Sequence, residues 1–418
     1  MAECSIRCVR GGEIHNQQAS YCSIHDSLLR SEYETRQLIL SDLPGIWKFS
    51  EWLPVKGILE LGAGPTTYKS KMLAKELGLE ELYISFNGYW PEKGAYMDTC
   101  TFKDLEAAPT IRRLLDHKVR KALVVASAGN TARAFARVCS DIGFPLILVV
   151  PVHGLDRIWM PVEKGKSIFI IGVEGDYYDA ISLSEQLVAH GPFMAEGGAK
   201  NIARRDGMGT VMLDAAFTIK KLPKHYFQAI GSGTGGIAAW EASLRLISDG
   251  RFGQSLPHLH LAQNIPCAPI FNTINNENIS DDCPRDMFDD VLFNRKPPLH
   301  VGGGILDALR STGGLVYGIS NKEAEIAKRL FESLEGIDIV PAAAIAVAAL
   351  LKAVDTGVVS KNESVLLNIT GGGEALLRRD KGIKIIEADV KVRRDEDPFS
   401  IVRMITEALG GSIFERAA

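Results

Sequence analysis

Apolar runs alternate with amphipathic segments along most of the chain from about residue 121 onward. Continuous runs of Val, Ile and Leu predict buried strands at 121–127, 144–150, 167–173, 225–230, 258–263, 314–320 and 364–370. Apolar positions spaced three or four residues apart predict helices from about 105 and at 130–143, 176–191, 210–222, 236–247, 321–334 and 342–354. Because fully apolar strands that alternate with helices are typical of parallel sheets covered on both faces, the pattern predicts an α/β fold.

The composition narrows the class of protein. A length of 418 residues predicts two or three folding units, and 46% hydrophobic with 23% charged residues is ordinary for a globular chain. The net charge of −4 argues against a dedicated nucleic-acid binder. The longest apolar run, 340–351, is too short to cross a bilayer, and the first residues lack the apolar core of a secretion signal. We therefore expect a soluble, cytoplasmic protein.

The cysteines and one irregular stretch stand apart from this pattern. Seven cysteines at uneven positions do not suggest a disulfide framework. The order Cys4-x3-Cys8 and Cys22-x2-His25, with His15 nearby, is similar to a zinc knuckle, but the spacing is imperfect. The sequence therefore favours a small, reduced N-terminal segment without a metal.

The stretch 264–313 is acidic and rich in Pro and Gly, which predicts a lid or a surface excursion.

A glycine run follows the predicted strand at 225–230 and opens the next helix. Its residues are Gly231, Ser232, Gly233, Thr234, Gly235 and Gly236. Backbone N–H groups without neighbouring Cβ atoms can close round a phosphate at the positive end of a helix. A dinucleotide site would need an acidic residue after the next strand, and Gln263 stands there instead. The run therefore predicts a site for a cofactor with one phosphate, with a tight turn that binds nothing as the alternative.

Three further segments place polar side chains at predicted strand ends or helix starts. They are 101–104 (Thr-Phe-Lys-Asp), 127–131 (Ser-Ala-Gly-Asn-Thr) and 368–373 (Asn-Ile-Thr-Gly-Gly-Gly). Ligands of open α/β sheets bind at the carboxyl ends of the strands. Each segment alone is also compatible with an ordinary turn or helix cap.

Taken in this order, the four segments resemble those of the pyridoxal-phosphate enzymes of the tryptophan-synthase-β superfamily. The likeness extends to 61–84, 175–183, 201–210 and 335–350, which are similar to segments of the threonine synthase family. Residues 77–107 and 261–270 resemble an archaeal branch of that family, the cysteate synthases. One departure is Leu105, where threonine synthases usually have an arginine after the Lys-Asp pair.

This resemblance implies a fold and a set of residue roles. The fold would be two doubly wound α/β domains of fold type II, with pyridoxal 5'-phosphate in the cleft between them. Lys103 would bind the cofactor aldehyde covalently and act as general base, and Asn130 would hold its 3-hydroxyl. Gly231, Ser232, Gly233, Thr234 and Gly235 would hold its phosphate, and Thr370 would present a neutral hydroxyl to the ring nitrogen. Thr66, Thr67, Lys71, Ser127 and Arg133 are predicted to bind substrate, and Lys69, Arg204 and Arg205 are further cationic candidates.

The resemblance also implies a domain division and a reaction. An N-terminal segment (1–34) would precede a large cofactor-binding domain (35–100 and 212–418), and a smaller mobile domain (101–211) would carry the asparagine motif. The enzyme would replace the phosphate of O-phospho-L-serine by sulfite to give L-cysteate, a precursor of coenzyme M, and would be a homo-oligomer.

Several alternatives remain open from the residues alone. They are a threonine synthase acting on O-phospho-L-homoserine, a phosphoserine-using cysteine synthase and a non-catalytic effector-binding protein. The residue pattern itself does not distinguish sulfite from sulfide or water as the nucleophile. Neither membrane nor nucleic-acid partners are expected.

Overall fold

The computed structural model describes residues 4–276 and 286–410. In chain order its strands are β1 Cys4–Cys8, β2 Ile14–His15, β3 Tyr21–Cys22, β4 Ser27–Tyr33, β5 Thr66–Lys69, β6 Leu82–Phe86, β7 Tyr89–Trp90, β8 Ala95–Tyr96, β9 Ala122–Ala126, β10 Leu146–Pro151, β11 Trp159–Met160, β12 Ile168–Glu174, β13 Phe193–Ala195, β14 His225–Ala229, β15 His258–Asn264, β16 Leu315–Ile319, β17 Val365–Ile369, β18 Lys384–Ile385 and β19 Val390–Arg393. Its α-helices are α1 Met72–Glu76, α2 Asp104–Asp116, α3 Asn130–Ile142, α4 Tyr177–His190, α5 Ile202–Ile219, α6 Thr234–Asp249, α7 Pro269–Ile274, α8 Ile305–Thr312, α9 Asn321–Glu335, α10 Pro341–Asp355, α11 Glu374–Lys381 and α12 Pro398–Leu409.

The larger of the two main sheets has six strands in the order β16-β15-β14-β17-β6-β5. Its strands are parallel except for β5, which runs antiparallel to β6. Successive residues of β14 point to opposite faces, so Tyr226 joins one apolar core and Phe227 the other. Helices α5 and α6 contribute to the first core, and α9 and α10 to the second. Both faces are therefore covered, as the continuous apolar strands predict.

The second main sheet is fully parallel, with five strands in the order β13-β9-β10-β12-β19. On β10, Leu148 points into the core that α3 and the first sheet also share, whereas Ile147 points into a separate core with α4 and α12. Two α/β units thus meet through one common apolar core, and the α/β fold class is confirmed.

Most predicted elements agree with the structure to within two residues. Helix α5 is the exception, because it begins at Ile202 and not at 210. Asn201 caps it by accepting a hydrogen bond from the Arg204 amide at 3.1 Å, a start signal that two glycines inside the helix obscure. The stretch 264–313 is not simply irregular either, since it contains α7 and α8.

The N-terminal residues form a four-stranded antiparallel sheet, β2-β1-β4-β3, which the apolar pattern did not predict. The division of the chain into domains stays a prediction. The strand pairing adds one amendment to it, because β19 joins the five-stranded sheet and α12 packs on α4. Residues 390–409 therefore associate with the proposed smaller domain. Within the described ranges, no helix combines the length and apolar character needed to cross a membrane.

Candidate active site

A cavity lies where β9, β14 and β17 end, and all four predicted segments reach it. The segments that line it include Phe102, Lys103, residues 127–131, Tyr177, Arg204, Met208, residues 228–235, residues 291–294, Ala342 and Thr370. Two strands of the larger sheet and one of the smaller sheet therefore deliver their carboxyl ends to one site.

Lys103 precedes the first residue of α2, and its side chain is only 18% exposed. Burial is the main cause that lowers the pKa of Lys103, and the positive charge of Arg204 acts in the same direction. The Glu106 carboxylate, 3.4 Å from Lys103 Nζ, opposes this shift. The net effect favours the neutral amine, which is the form that reacts with an aldehyde.

Glu106 and Arg204 form a buried charge pair beside this lysine. Glu106 is completely buried, and its Oε2 lies 2.9 Å from Arg204 Nε. Arg204 Nη1 also donates to Glu196 at 2.7 Å. From the sequence, Arg204 was a candidate cation for the anionic substrate, and Glu106 was not singled out. Their pairing joins α2 to α5, so no local sequence signal could have shown it.

Leu105, the departure from the threonine synthase pattern, lies in the protein core and not in the cavity. Its carbonyl oxygen faces Gly207 of α5 so closely that a Cβ there would stand 1.9 Å away. Leu105 therefore lies at the contact between α2 and α5. The residue before it, Asp104, accepts a 2.5 Å hydrogen bond from the Thr99 hydroxyl, and burial raises the pKa of Asp104 to about 6.

The glycine loop forms a cradle at the start of α6. Gly233 has a φ of 85°, and a Cβ there would lie 2.8 Å from Ile305. A Cβ on Gly235 would lie 2.1 Å from the Gln228 side chain. The amides of the first turn, 234–236, have no acceptor within the helix and stand at its positive end. Since the Ser232 and Thr234 hydroxyls adjoin them, 3.0 Å apart, this donor set fits a phosphate.

The turn after β9 is held by Ser127. Its hydroxyl oxygen accepts hydrogen bonds from the amides of Gly129 and Ala132, both at 3.0 Å. Asn130 then begins α3, and its Oδ1 accepts a bond from Arg133 Nη2 at 3.2 Å. Because this bond occupies Oδ1, it orients the side-chain amide of Asn130 and leaves its NH₂ group available to donate to an oxygen on the ring of a bound cofactor.

Arg133 has a different position from the one predicted. It is 4% exposed, stacks on Trp159 at 4.1 Å and donates to the Arg157 carbonyl at 3.3 Å. It is absent from the described residues that line the cavity. Its contacts make it a positioning residue for Asn130, and its predicted contact with substrate has no support in this geometry.

The structure does not bring the other predicted substrate ligands to the cavity. Thr66 and Thr67 line a separate cleft with residues such as Gly45 and Asp214, and Lys71 is exposed before α1. Lys69 pairs with Glu81 at 2.6 Å, and the buried Arg205 pairs with Glu241 at 3.0 Å. These side chains lie on or near the edge strand β5, or on α5 away from the cavity. Lys69 and Arg205 form ion pairs there, at the surface and in the core respectively, and none of these residues is among the described residues that line the candidate site.

Thr370 is 5% exposed and lies directly after β17. Its carbonyl accepts a hydrogen bond from the Phe102 amide at 3.0 Å, which ties it to the segment that carries Lys103. Thr370 is among the residues that line the cavity. A neutral hydroxyl at this place is compatible with a pyridine nitrogen that remains unprotonated.

A covering segment, which we define as residues 289–295, closes the cavity over the glycine loop. A Cβ on Gly231 would stand 3.1 Å from the Leu292 carbonyl oxygen. Asp290 pairs with Arg157, and Arg295 Nη2 lies 3.3 Å from Asp176 Oδ2. Asp289 accepts from the Ala342 amide at 2.8 Å. The segment thus bridges both units, and sequence analysis identified only a possible lid.

Pyridoxal phosphate fits the residues present. The cavity combines a buried amine of lowered pKa, a phosphate cradle at a helix start, an oriented amide and a neutral hydroxyl. The matching family model, described as "Pyridoxal-phosphate dependent enzyme", covers residues 59–371. It therefore includes every residue to which we assign a cofactor contact.

Relatives of known name match nearly the whole chain. A cysteate synthase of Methanothrix thermoacetophila is 54% identical over 414 residues, 97% of this chain and 100% of its own. Those of Methanococcoides burtonii and Methanosarcina acetivorans are 53% and 50% identical and cover 94% and 96% of this chain, 94% and 99% of their own.

Solved structures share the fold at low sequence identity. A T.th. threonine deaminase matches with a TM-score of 0.55 and 17% identity, over 73% of this chain and 91% of its own. Maize serine racemase matches with a TM-score of 0.57 and 14% identity, over 75% and 92%. With the fold, the cavity and these relatives in agreement, the chain belongs to the pyridoxal-phosphate-dependent enzymes of fold type II and, within them, to the cysteate synthase family.

Proposed function

We propose that the protein is a cysteate synthase, which replaces the phosphate of O-phospho-L-serine by sulfite and releases L-cysteate and phosphate. The observation that carries this proposal is the buried Lys103 opposite a glycine phosphate cradle, in a chain about half identical to cysteate synthases over almost its full length. These relatives do not favour the threonine synthase or cysteine synthase alternatives.

The cofactor would be held by Lys103, Asn130, the glycine loop and Thr370, and when bound it supplies an electron sink for the carbanion at the substrate Cα. The Lys103 amine removes the Cα proton as general base, which requires the neutral form that burial favours. A neutral Thr370 hydroxyl beside the ring nitrogen would leave that nitrogen uncharged, which would moderate the sink and suit loss of a leaving group from Cβ. The C–O bond to phosphate breaks with release of phosphate, and a C–S bond to sulfite forms at the same carbon. The proton held by Lys103 then returns to Cα, so the product keeps its Cα hydrogen.

Both the substrate and the nucleophile are anions, yet few cationic side chains at this site are available to bind them. Among the described residues that line the cavity, the cationic side chains are Lys103 and Arg204, and Arg204 is committed to Glu106 and Glu196. We infer that backbone amides carry most of the anion binding. The start of α3, with Ser127 beside it, faces the same cavity as the start of α6 and offers a second set of donors for the substrate carboxylate.

Exclusion of water would protect the substrate after it has lost phosphate and before sulfite adds, because water would otherwise compete with sulfite. We propose that the smaller domain closes over bound substrate, with the covering segment completing the enclosure. Small-angle scattering of the holoenzyme with and without O-phosphoserine tests this step. Identical scattering profiles in the two states would contradict closure.

Phosphate release tests the function directly. Holoenzyme is given O-phosphoserine or O-phosphohomoserine, each with and without sulfite, and products are identified by mass spectrometry. We expect sulfite-stimulated release from O-phosphoserine, with cysteate as product. Release from O-phosphohomoserine alone, with threonine as product, would replace the proposal by threonine synthesis. Formation of cysteine from sulfide at a higher rate than cysteate from sulfite would favour a cysteine synthase.

We also propose that the L-cysteate supplies coenzyme M biosynthesis and that the enzyme works in the cytoplasm as a homo-oligomer. Thiols at Cys100 and Cys139, both buried and without disulfide partners, are compatible with a reducing compartment. Cys283 lies outside the described residues.

A further inference from the structure

The N-terminal sheet brings two thiols, two imidazoles and one carboxylate to a single place. Cys8 ends β1, Cys22 ends β3, and His25 lies in the turn that follows. Cys8, Glu13, His15 and Cys22 each place a ligand atom within 4.8 Å of all the others. His25 Nδ1 joins them, at 3.7 Å from Cys8 Sγ and 3.5 Å from Cys22 Sγ.

These separations match the edges of a tetrahedral metal site. Zinc binds sulfur at about 2.3 Å and imidazole nitrogen at about 2.0 Å, which sets S···N edges of about 3.5 Å. Glu13 Oε1 is the fourth candidate ligand atom, and it lies within hydrogen-bond distance of two others, 2.9 Å from His25 Nδ1 and 3.0 Å from Cys22 Sγ. His15 Nε2 lies 3.3 Å from the same Glu13 oxygen.

The surrounding backbone is shaped for this cluster. The Gly11 amide donates to Cys8 Sγ at 3.3 Å, a bond that stabilises a thiolate. A Cβ on Gly11 would stand 2.2 Å from the His25 ring and 2.1 Å from the Glu13 carboxylate, so a side chain there would displace two groups of the cluster. Both sulfurs belong to residues that are 1% exposed, whereas the His25 side chain is 39% exposed. The cluster is therefore enclosed but reachable from solution.

We propose that this cluster is a structural site for one zinc-type divalent cation, with ligands Cys8, Glu13, Cys22 and His25. Four protein ligands leave no open position for a substrate, which is the arrangement of structural zinc sites. This inference revises the metal-free N-terminal segment expected from the sequence. Cys4 takes no part, because it lies at the opposite end of β1 beside Arg113 and Asp206.

A metal site would compensate for the small apolar core of the N-terminal sheet. Among the described residues, the core of this sheet consists of Ile6, Leu29, the two ligand cysteines and Ile202 of α5, with Cys4 and Ala19 packed against them. A sheet this small buries too little apolar surface to be stable without help. It packs against α5, where Tyr33 donates to Asp206 at 2.6 Å and Arg205 donates to the Leu29 carbonyl. The residue before Arg205, Arg204, lines the cavity, so the metal would stabilise a helix that supports the active site.

Metal analysis of the tag-free, full-length holoenzyme tests the proposal. Protein produced with added zinc is dialysed against metal-free buffer and analysed by plasma mass spectrometry, and we expect about one zinc per chain. Cys22→Ser and His25→Ala should lose most of this zinc. Cys4→Ser, the matched control on the same strand, should retain it.

A second measurement keeps the test independent of variant folding. After chelation, wild-type protein is titrated with cobalt(II), and we expect the visible absorption bands of a tetrahedral cobalt–thiolate site. Zinc no higher in wild type than in Cys22→Ser, together with no such bands, would overturn the proposal. Zinc lost equally from Cys4→Ser would also overturn it, because binding would then not depend on the proposed ligands.

Discussion

At the scale of single residues, Lys103 combines two roles that its burial makes possible. Substitution Lys103→Ala removes both the covalent attachment of the cofactor and the general base. We expect loss of the absorption band of the attached cofactor and a fall in kcat of at least about 1,000-fold. Lys121→Ala, which changes an exposed lysine at the start of the β9 region, is the matched control and should leave both unchanged. A Lys103→Ala protein that retained the band would contradict the assignment.

Glu106 acts through Lys103 and Arg204, so it is a positioning residue. Its charge raises the pKa of Lys103, and Glu106→Gln should therefore lower that pKa further. Because the neutral amine reacts with the aldehyde, the rate of cofactor attachment to the apoprotein should reach half its maximum at a lower pH. The variant should also lose roughly 3 kcal/mol in free energy of unfolding, since Arg204 loses a buried partner.

The control for this change is Glu185→Gln, at an exposed position of α4. It should alter neither the pH profile of attachment nor the urea unfolding curve. An unchanged pH profile in Glu106→Gln, with a lowered stability, would assign Glu106 a purely structural role.

The sequence pointed to Asn130 and the glycine loop through local signals and to Lys103 through the family resemblance, and the structure brings all three to one cavity. A glycine with positive φ, such as Gly233, or an asparagine that starts a helix can be identified from its neighbours in the chain. Arg133 and Glu106 were assigned poorly or not at all for the opposite reason. Their partners, Trp159 and Arg204, lie far away in sequence and are brought near only by packing.

At the scale of elements, the covering segment owes its position to charge pairs with both units. The pair of Arg157 with Asp290 crosses from the smaller sheet to this segment, and both side chains are about one-third exposed or less. Arg157→Ala should loosen the segment and raise KM for O-phosphoserine about fivefold, the equivalent of about 1 kcal/mol, with a smaller change in kcat. Steady-state kinetics measure both values.

The matched control breaks an ion pair that holds no element over the cavity. Arg310 pairs with Asp307 at 3.0 Å within α8 and is 77% exposed. Arg310→Ala should leave KM unchanged. Equal effects of the two substitutions would show that the covering segment does not depend on the Arg157 contact.

The elements themselves followed from the sequence wherever apolar residues were continuous. Strands such as β10 and β17 are buried on both faces, so their residues are almost all apolar and the signal is strong. The strands β1 to β3 are short and partly exposed, and β19 pairs with a strand more than 200 residues earlier. The pattern for such edge and surface strands is weak because one face meets solvent.

At the scale of the whole molecule, the stability of the six-stranded sheet depends on contacts between its strands. A buried network of histidines links several of these strands. His260 on β15 is 1% exposed and stacks on Phe227 of β14 at 4.2 Å. Its Nε2 lies 2.9 Å from His225 Nδ1, and its Nδ1 lies 2.8 Å from the Tyr317 hydroxyl of β16. His225 in turn reaches Glu363, 3.0 Å away, just before β17. The network therefore joins four adjacent strands.

This network predicts a loss of stability in mild acid. Burial, with the neighbouring His225 and His258, lowers the pKa of His260 to about 3, and burial also lowers the pKa of His225. In the unfolded chain these rings bind protons near pH 6.5, so protonation favours unfolding below that pH. The free energy of unfolding should fall between about pH 6.5 and 3, by at most about 1.4 kcal/mol per pH unit for each ring.

Urea unfolding at pH 7 and pH 5 measures this fall in wild type and in His260→Phe. The phenylalanine keeps the ring contact with Phe227 but cannot take up a proton, so the variant should be less stable at pH 7 and lose less stability at pH 5. His190→Gln, at an exposed position of α4, should retain the wild-type dependence. If His260→Phe lost as much stability as wild type on acidification, proton uptake by His260 on unfolding could not be the cause of the loss.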